Sequence, residues 1–114
     1  MTRTIIAGSR EGVSKEQVRS AIDSCPWEIS VVISGNARGV DTLGEELAEQ
    51  LQIVIDRYPA NWDLYGKGAG MLRNSEMARN SEALILIWDG KSRGSKNMLE
   101  TAKLHNLKIH EVLV

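Results

Sequence analysis

The sequence predicts an α/β protein: a Rossmann-like, doubly wound, five-stranded parallel sheet with helices on both faces. Three observations predict it. Five short apolar runs alternate with four stretches whose apolar residues recur at helical spacing. The runs are apolar along their length rather than at alternate positions, the pattern of strands buried on both faces. Four of the five runs lead into polar, glycine-bearing windows, at 8–13, 34–41, 59–74 and 88–97. In a doubly wound sheet with right-handed crossovers, the loops after the strand ends meet along one edge, and ligands bind there.

Each element has a local reason. Residues 3–7 form the first strand, which exits through Gly8-Ser9-Arg10. Ser14 followed by Gln17 has the form of a capping box, and Val18, Ala21 and Ile22 supply one apolar helix face. Pro26 ends that helix. Residues 29–33 form the second strand. Val40, Leu43, Leu47 and Leu51 then give a second helical stripe. Residues 53–58 form the third strand, stopped by Pro59. Residues 60–70 carry Trp62, Tyr65 and three glycines, and a third helix is expected over 71–80. The fourth strand, 83–88, is the most continuous apolar run. A second rich loop occupies 89–95, the fourth helix turns Met98, Leu99 and Ala102 inward, and the fifth strand covers 107–112.

Length and composition bound the reading. The chain has 114 residues, one domain's worth, with 42% apolar and 25% charged residues. Its longest apolar runs are far shorter than a membrane span. The N-terminal residues enter a strand pattern directly, with no signal peptide visible. Cys25 is the only cysteine, so no intrachain disulfide forms. A cytoplasmic protein without membrane attachment is expected. The net charge of −1 argues against bulk electrostatic capture of nucleic acid. The four windows nevertheless gather seven cationic against four acidic side chains. If they converge, they form a basic pocket on an acidic body. No cluster has metal-ligand spacing, and neither metal nor cofactor is expected. His105 and His110 fall outside the windows, which leaves no Ser-His-Asp or Cys-His grouping.

The organising stretch is Ser34-Gly35-Asn36-Ala37-Arg38-Gly39-Val40-Asp41. Two glycines join a strand to a helix whose first N–H groups and dipole favour an anion. The loop is expected to hold the phosphate or diphosphate of a nucleotide-like ligand. Arg38 faces ligand or solvent, and Arg38→Glu is expected to abolish binding. Asp41 either meets a ribose hydroxyl or caps its own helix. Gly8, Ser9 and Arg10 suit a phosphate, with a plain turn as the alternative. Trp62 and Tyr65 stack on a base, face a partner subunit or form a small satellite core. Lys67, Arg73 and Asn74 reach a phosphate or base, or form a solvated helix face. Asp89, Gly90, Lys91, Ser92, Arg93, Gly94 and Ser95 fail the P-loop test, because Gly90 and Gly94 enclose three residues instead of four. Glycines, hydroxyls and cations at a helix start still make a generic phosphate cradle.

These motifs together resemble the SLOG superfamily, which groups DNA-processing protein A and the Lonely Guy nucleotide hydrolases. The similarity is greatest to the small YspA- and YpsA-related SLOG domains. It rests on Gly8-Ser9-Arg10, residues 34–41, Tyr58-Pro59-Ala60-Asn61-Trp62, residues 66–70, Arg73-Asn74 and residues 88–94. The resemblance implies a Rossmann-like fold that binds nucleotides or derivatives such as NAD or ADP-ribose, as a sensor or sequestering module. Lonely Guy enzymes carry acidic residues after their Gly-Thr; here Gly94-Ser95 match the pair, and Asn97 stands where the first acid is expected. Hydrolysis of an N-glycosidic bond, with Glu100 or Asp89 as acid, is the enzymatic alternative. DNA-processing protein A shares an element matched by 34–41 and binds single-stranded DNA, the third reading. A homo-oligomer is expected, because the exposed aromatics want a partner.

Overall fold

A computed structural model describes residues 2–114. Five strands form one parallel sheet: β1 (Thr2–Gly8), β2 (Ile29–Ser34), β3 (Val54–Arg57), β4 (Ala83–Trp88) and β5 (Lys108–Leu113). Their order across the sheet is β3-β2-β1-β4-β5. The chain winds outward from β1 through β2 to β3, then returns across β1 to β4 and β5. The winding therefore reverses between β1 and β4. Gly8 lies beside Ile87 there, at the ligand-binding end of a doubly wound sheet.

Helices α1 (Lys15–Asp23) and α2 (Val40–Gln50) cover one face. The other is covered by α4 (Ala69–Arg79) and α5 (Arg93–Leu104), with a single turn α3 (Trp62–Tyr65) before α4. The side-chain period of two in a strand divides the core. Ile5, Leu84 and Leu86 join Met77 and Met98 on the α4–α5 face. Ile6, Ile85 and Ile87 join Val18, Val40 and Leu47 on the α1–α2 face. Every residue of β4 is buried, as its unbroken apolar run requires. No helix among the described residues is long and apolar enough to cross a membrane.

Local chemistry sets the boundaries. The Ser14 hydroxyl accepts the Gln17 N–H at 3.1 Å, and the Gln17 side chain accepts the Ser14 N–H at 2.9 Å. That reciprocal pair fixes the start of α1. Several boundaries differ from the sequence reading. Residues 60–70 are largely helical: Asn61 Oδ1 accepts the Leu64 N–H at 3.1 Å and caps α3, and a 3-10 turn (Gly66–Gly68) runs into α4. α4 thus starts at Ala69, two residues before Met71. α5 starts at Arg93, so Arg93, Gly94 and Ser95 form its first turn rather than a loop. A glycine reads as a loop residue because it costs helix propensity, and Gly94 carries that cost inside the first turn of α5. Leu51 ends α2 at 38% exposure and does not extend the buried stripe.

Candidate functional site

The loops after β1 and β4 are tied together by Ser9. Its N–H donates to the Ile87 carbonyl at 3.1 Å, and its carbonyl accepts the Val40 N–H at 3.1 Å. Its buried hydroxyl accepts the Asp89 N–H at 3.2 Å and lies 3.3 Å from the Ser92 hydroxyl. One serine thus positions the starts of α2 and α5. Two glycines allow this crowding. A Cβ on Gly8 would stand 1.8 Å from the Ile87 carbonyl oxygen. Gly39 has φ 81°, and its Cβ would stand 2.5 Å from the Arg10 Cα. No L side chain fits either place without backbone movement.

An open cleft of about 920 Å³ lies over this junction. It gathers residues from four of the predicted groups: Gly8 and Arg10; Ala37 and Asp41; Trp62, Lys67, Arg73 and Asn74; and Ser92 to Ser95. Residues 34–41 and 89–95 therefore share one hollow. A second hollow of about 340 Å³ lies along Pro59–Asp63 and contains no cation.

The other predicted residues lie around the cleft rather than on it. Ser9 is the tie just described. The Ser34 hydroxyl donates to Glu45 Oε2 at 2.6 Å and accepts the Asn36 N–H at 3.1 Å. Gly35 offers its carbonyl to Arg73, Gly39 is packed on the Arg10 backbone, and Val40 is core. Gly90 packs near Leu113. Arg38 points outward, 71% exposed and 3.4 Å from Glu11. It does not line the cleft, so the charge-reversal expectation passes to Arg10, which does. Asp89 turns into its own loop, where Oδ1 accepts from Lys91 N, Ser92 N and Ser92 Oγ at 2.8–2.9 Å. Those hydrogen bonds hold its carboxyl below the usual range, the wrong direction for a general acid.

Asp41 does not cap its own helix, whose N-cap is Gly39 with no side-chain cap hydrogen bond. It is 7% exposed, and Oδ2 accepts the Ala37 N–H at 3.3 Å from within the preceding loop. Burial pushes its pKa up to about 6, against the opposing pull of the Ala37 N–H and the Arg73 charge. Arg73 approaches from α4, donating from one amino group to the Gly35 carbonyl and from Nε to Asn74 Oδ1 at 3.0 Å. Burial lowers its pKa, Asp41 raises it, and Arg10 lowers it. The Asn74 amide donates across to Asn97 Oδ1 on α5 at 2.9 Å. A polar chain Asn97–Asn74–Arg73–Gly35 thus connects α5 to the loop between β2 and α2.

The first turn of α5 is arranged differently. Its N-cap, Ser92, makes no side-chain cap hydrogen bond, and the turn holds no acid. Arg93, Gly94 and Ser95 line the cleft. Six cationic side chains line it in all, against the two acids Asp41 and Glu100. None of these cations takes part in an ion pair among the described residues. Arg3, Lys15, Arg19, Arg38 and Arg57, elsewhere on the molecule, all do. Sequence reasoning missed the apolar wall of Met71, Met77 and Met98. Met77 and Met98 are 1% exposed, and spacing marked Met98 only as core while giving Met77 no role. Trp62 stands half-exposed at the rim, near Gly70. No group of His, Cys, Asp and Glu residues able to hold a metal occurs among the described residues.

Fold and cleft together define a class: a doubly wound α/β protein with an open, cation-lined hollow at its switch point. The particular relationship is narrower. The chain is 31% identical over 113 residues to Gene 61 protein of Mycobacterium phage D29, an alignment covering 90% of each chain, and it belongs to the family of that protein. No family model matches the chain, and no solved structure matches it.

Proposed function

We propose that the protein binds a nucleotide or nucleotide-derived ligand of the ADP-ribose or NAD-derivative type, as a sensor or sequestering module of the SLOG kind. The phosphate sits at the first turn of α5. One observation carries this reading: six cations without ion-pair partners among the described residues line the cleft into which an uncapped helix start opens. A helix N-terminus and clustered cations both favour an anion, and desolvation in a cleft strengthens each. At the start of α2, where the sequence reading placed the phosphate, the Val40 N–H already donates to the Ser9 carbonyl and the acid Asp41 stands in the first turn. That carboxylate faces the cleft, where it can accept a sugar hydroxyl. Trp62 and Met71 offer apolar surface to a base at the rim.

Calorimetry against ADP-ribose, NAD, AMP and cyclic nucleotides tests this. At least one is expected to bind at submillimolar concentration. Arg10→Glu should weaken that binding strongly, and Arg38→Glu on the outer surface should perturb it far less. A silent panel contradicts the reading.

A hydrolytic activity on the same ligand class rests on Glu100, which lines the cleft on α5. Chromatography for released base decides it. No product after prolonged incubation with nucleoside monophosphates rejects it.

A further inference from the structure

Asp41 is a nearly buried acid in the floor of a cleft built for anions, and the reading above gives it at most a hydroxyl to hold. Its surroundings suggest a second role. The position a Gly35 Cβ would occupy lies 2.8 Å from Asp41 Oδ2 and 2.6 Å from a terminal nitrogen of Arg73. The carboxylate and the guanidinium thus straddle Gly35 as near neighbours without a direct ion pair. The charged groups facing Asp41 come from its own helix and from α4, and a third, from the loop after β1, faces Arg73. Glu45 lies one turn along α2 and disfavours a second negative charge. Arg73 comes from α4 and favours it. Arg10, from the loop after β1, acts on Arg73. Asp41, Arg73 and Arg10 all line the cleft.

We propose that the Asp41–Arg73 pair makes anion capture by this cleft proton-linked: the ionised carboxylate repels the incoming anion and offsets the nearby charge of Arg73, and the protonated carboxyl does neither. This rests on the anion-binding reading given above. Burial sets the free carboxyl near pKa 6, and a bound anion raises it further, because a like charge disfavours ionisation. Binding therefore takes up protons just above that value. Affinity rises as pH falls, then levels off once Asp41 is protonated in the free protein.

ADP-ribose is the probe, because its diphosphate diester keeps a constant charge between pH 5 and 8. Its affinity should be higher at pH 5.5 than at pH 7.5 by roughly fivefold or more, the size of effect one unit charge exerts across a partly wet cleft. Asp41→Asn should bind as tightly at pH 7.5 as the unaltered protein does at pH 5.5, with a flat profile. Calorimetry of the unaltered protein at pH 6.5, in two buffers of different ionisation enthalpy, should show net proton uptake without needing the variant to fold. Binding without proton uptake, or with a pH profile that Asp41→Asn shares, overturns the linkage and leaves the anion site standing. Failure to bind at any pH overturns both.

Discussion

Asp41 shows how one residue is caught between folding and binding. Below its ordinary pKa of 3.8 the carboxyl is protonated in both folded and unfolded chains, and it costs nothing. As pH rises toward about 6, the unfolded chain ionises first and is favoured. The loss is complete above the folded pKa and amounts to roughly 3 kcal/mol. Asp41→Asn keeps an acceptor for the Ala37 N–H without the charge. The variant should therefore gain stability relative to the parent across pH 4–6.5, read as the difference between two urea-unfolding series. A difference independent of pH contradicts this. Gly39 is a second test at this scale. With φ at 81° and the Arg10 backbone in the way of a Cβ, Gly39→Ala should cost roughly 2 kcal/mol or more. A variant that unfolds at the parent's urea midpoint contradicts it.

Among the elements, α5 opens its first turn onto the cleft. Gly94 lies in its first turn, and a Cβ there meets nothing within 4 Å. Gly94→Ala should stabilise the protein by roughly 0.5–1 kcal/mol through helix propensity and leave the cleft passable. Gly94→Glu should gain a further few tenths from the helix dipole and, by placing a carboxylate at the proposed phosphate position, abolish binding. A higher melting temperature with lost binding is a combination that general damage does not produce. A Gly94→Glu protein that still binds places the anion elsewhere. The elements were unequally legible in the sequence. The Ser14–Gln17 box is local chemistry, and it reads directly into the start of α1. The single turn α3 is not, because its cap at Asn61 sits between Pro59 and three glycines that read as loop. Gly94 hid the true start of α5 in the same way.

For the whole molecule, the strand order β3-β2-β1-β4-β5 converts a sequence pattern into a site. Five apolar runs alternating with helices were enough to predict a doubly wound sheet, and the winding then brings the windows after β1, β2 and β4 together. Which side chains face the hollow was not legible. Arg38 and Arg10 look alike in the sequence, but one pairs with Glu11 at the surface and the other lines the cleft. Asp89 and Asp41 are both acids in rich loops. One is spent on its own turn, and the other is buried at the cleft floor. These distinctions depend on loop geometry, which spacing does not encode. Unpaired charge follows the same logic: among the described residues, a chain of net charge −1 keeps the six cations of one cleft free of ion pairs while pairing several others.

The most direct measurement is a titration of isotope-labelled protein with ADP-ribose, followed through its backbone amide resonances. The amides of Arg93, Gly94 and Ser95 should shift most and saturate together, with Arg10 and Lys91 following. Unmoved resonances at 93–95, or shifts centred on the start of α2 instead, would contradict an anion site at the first turn of α5.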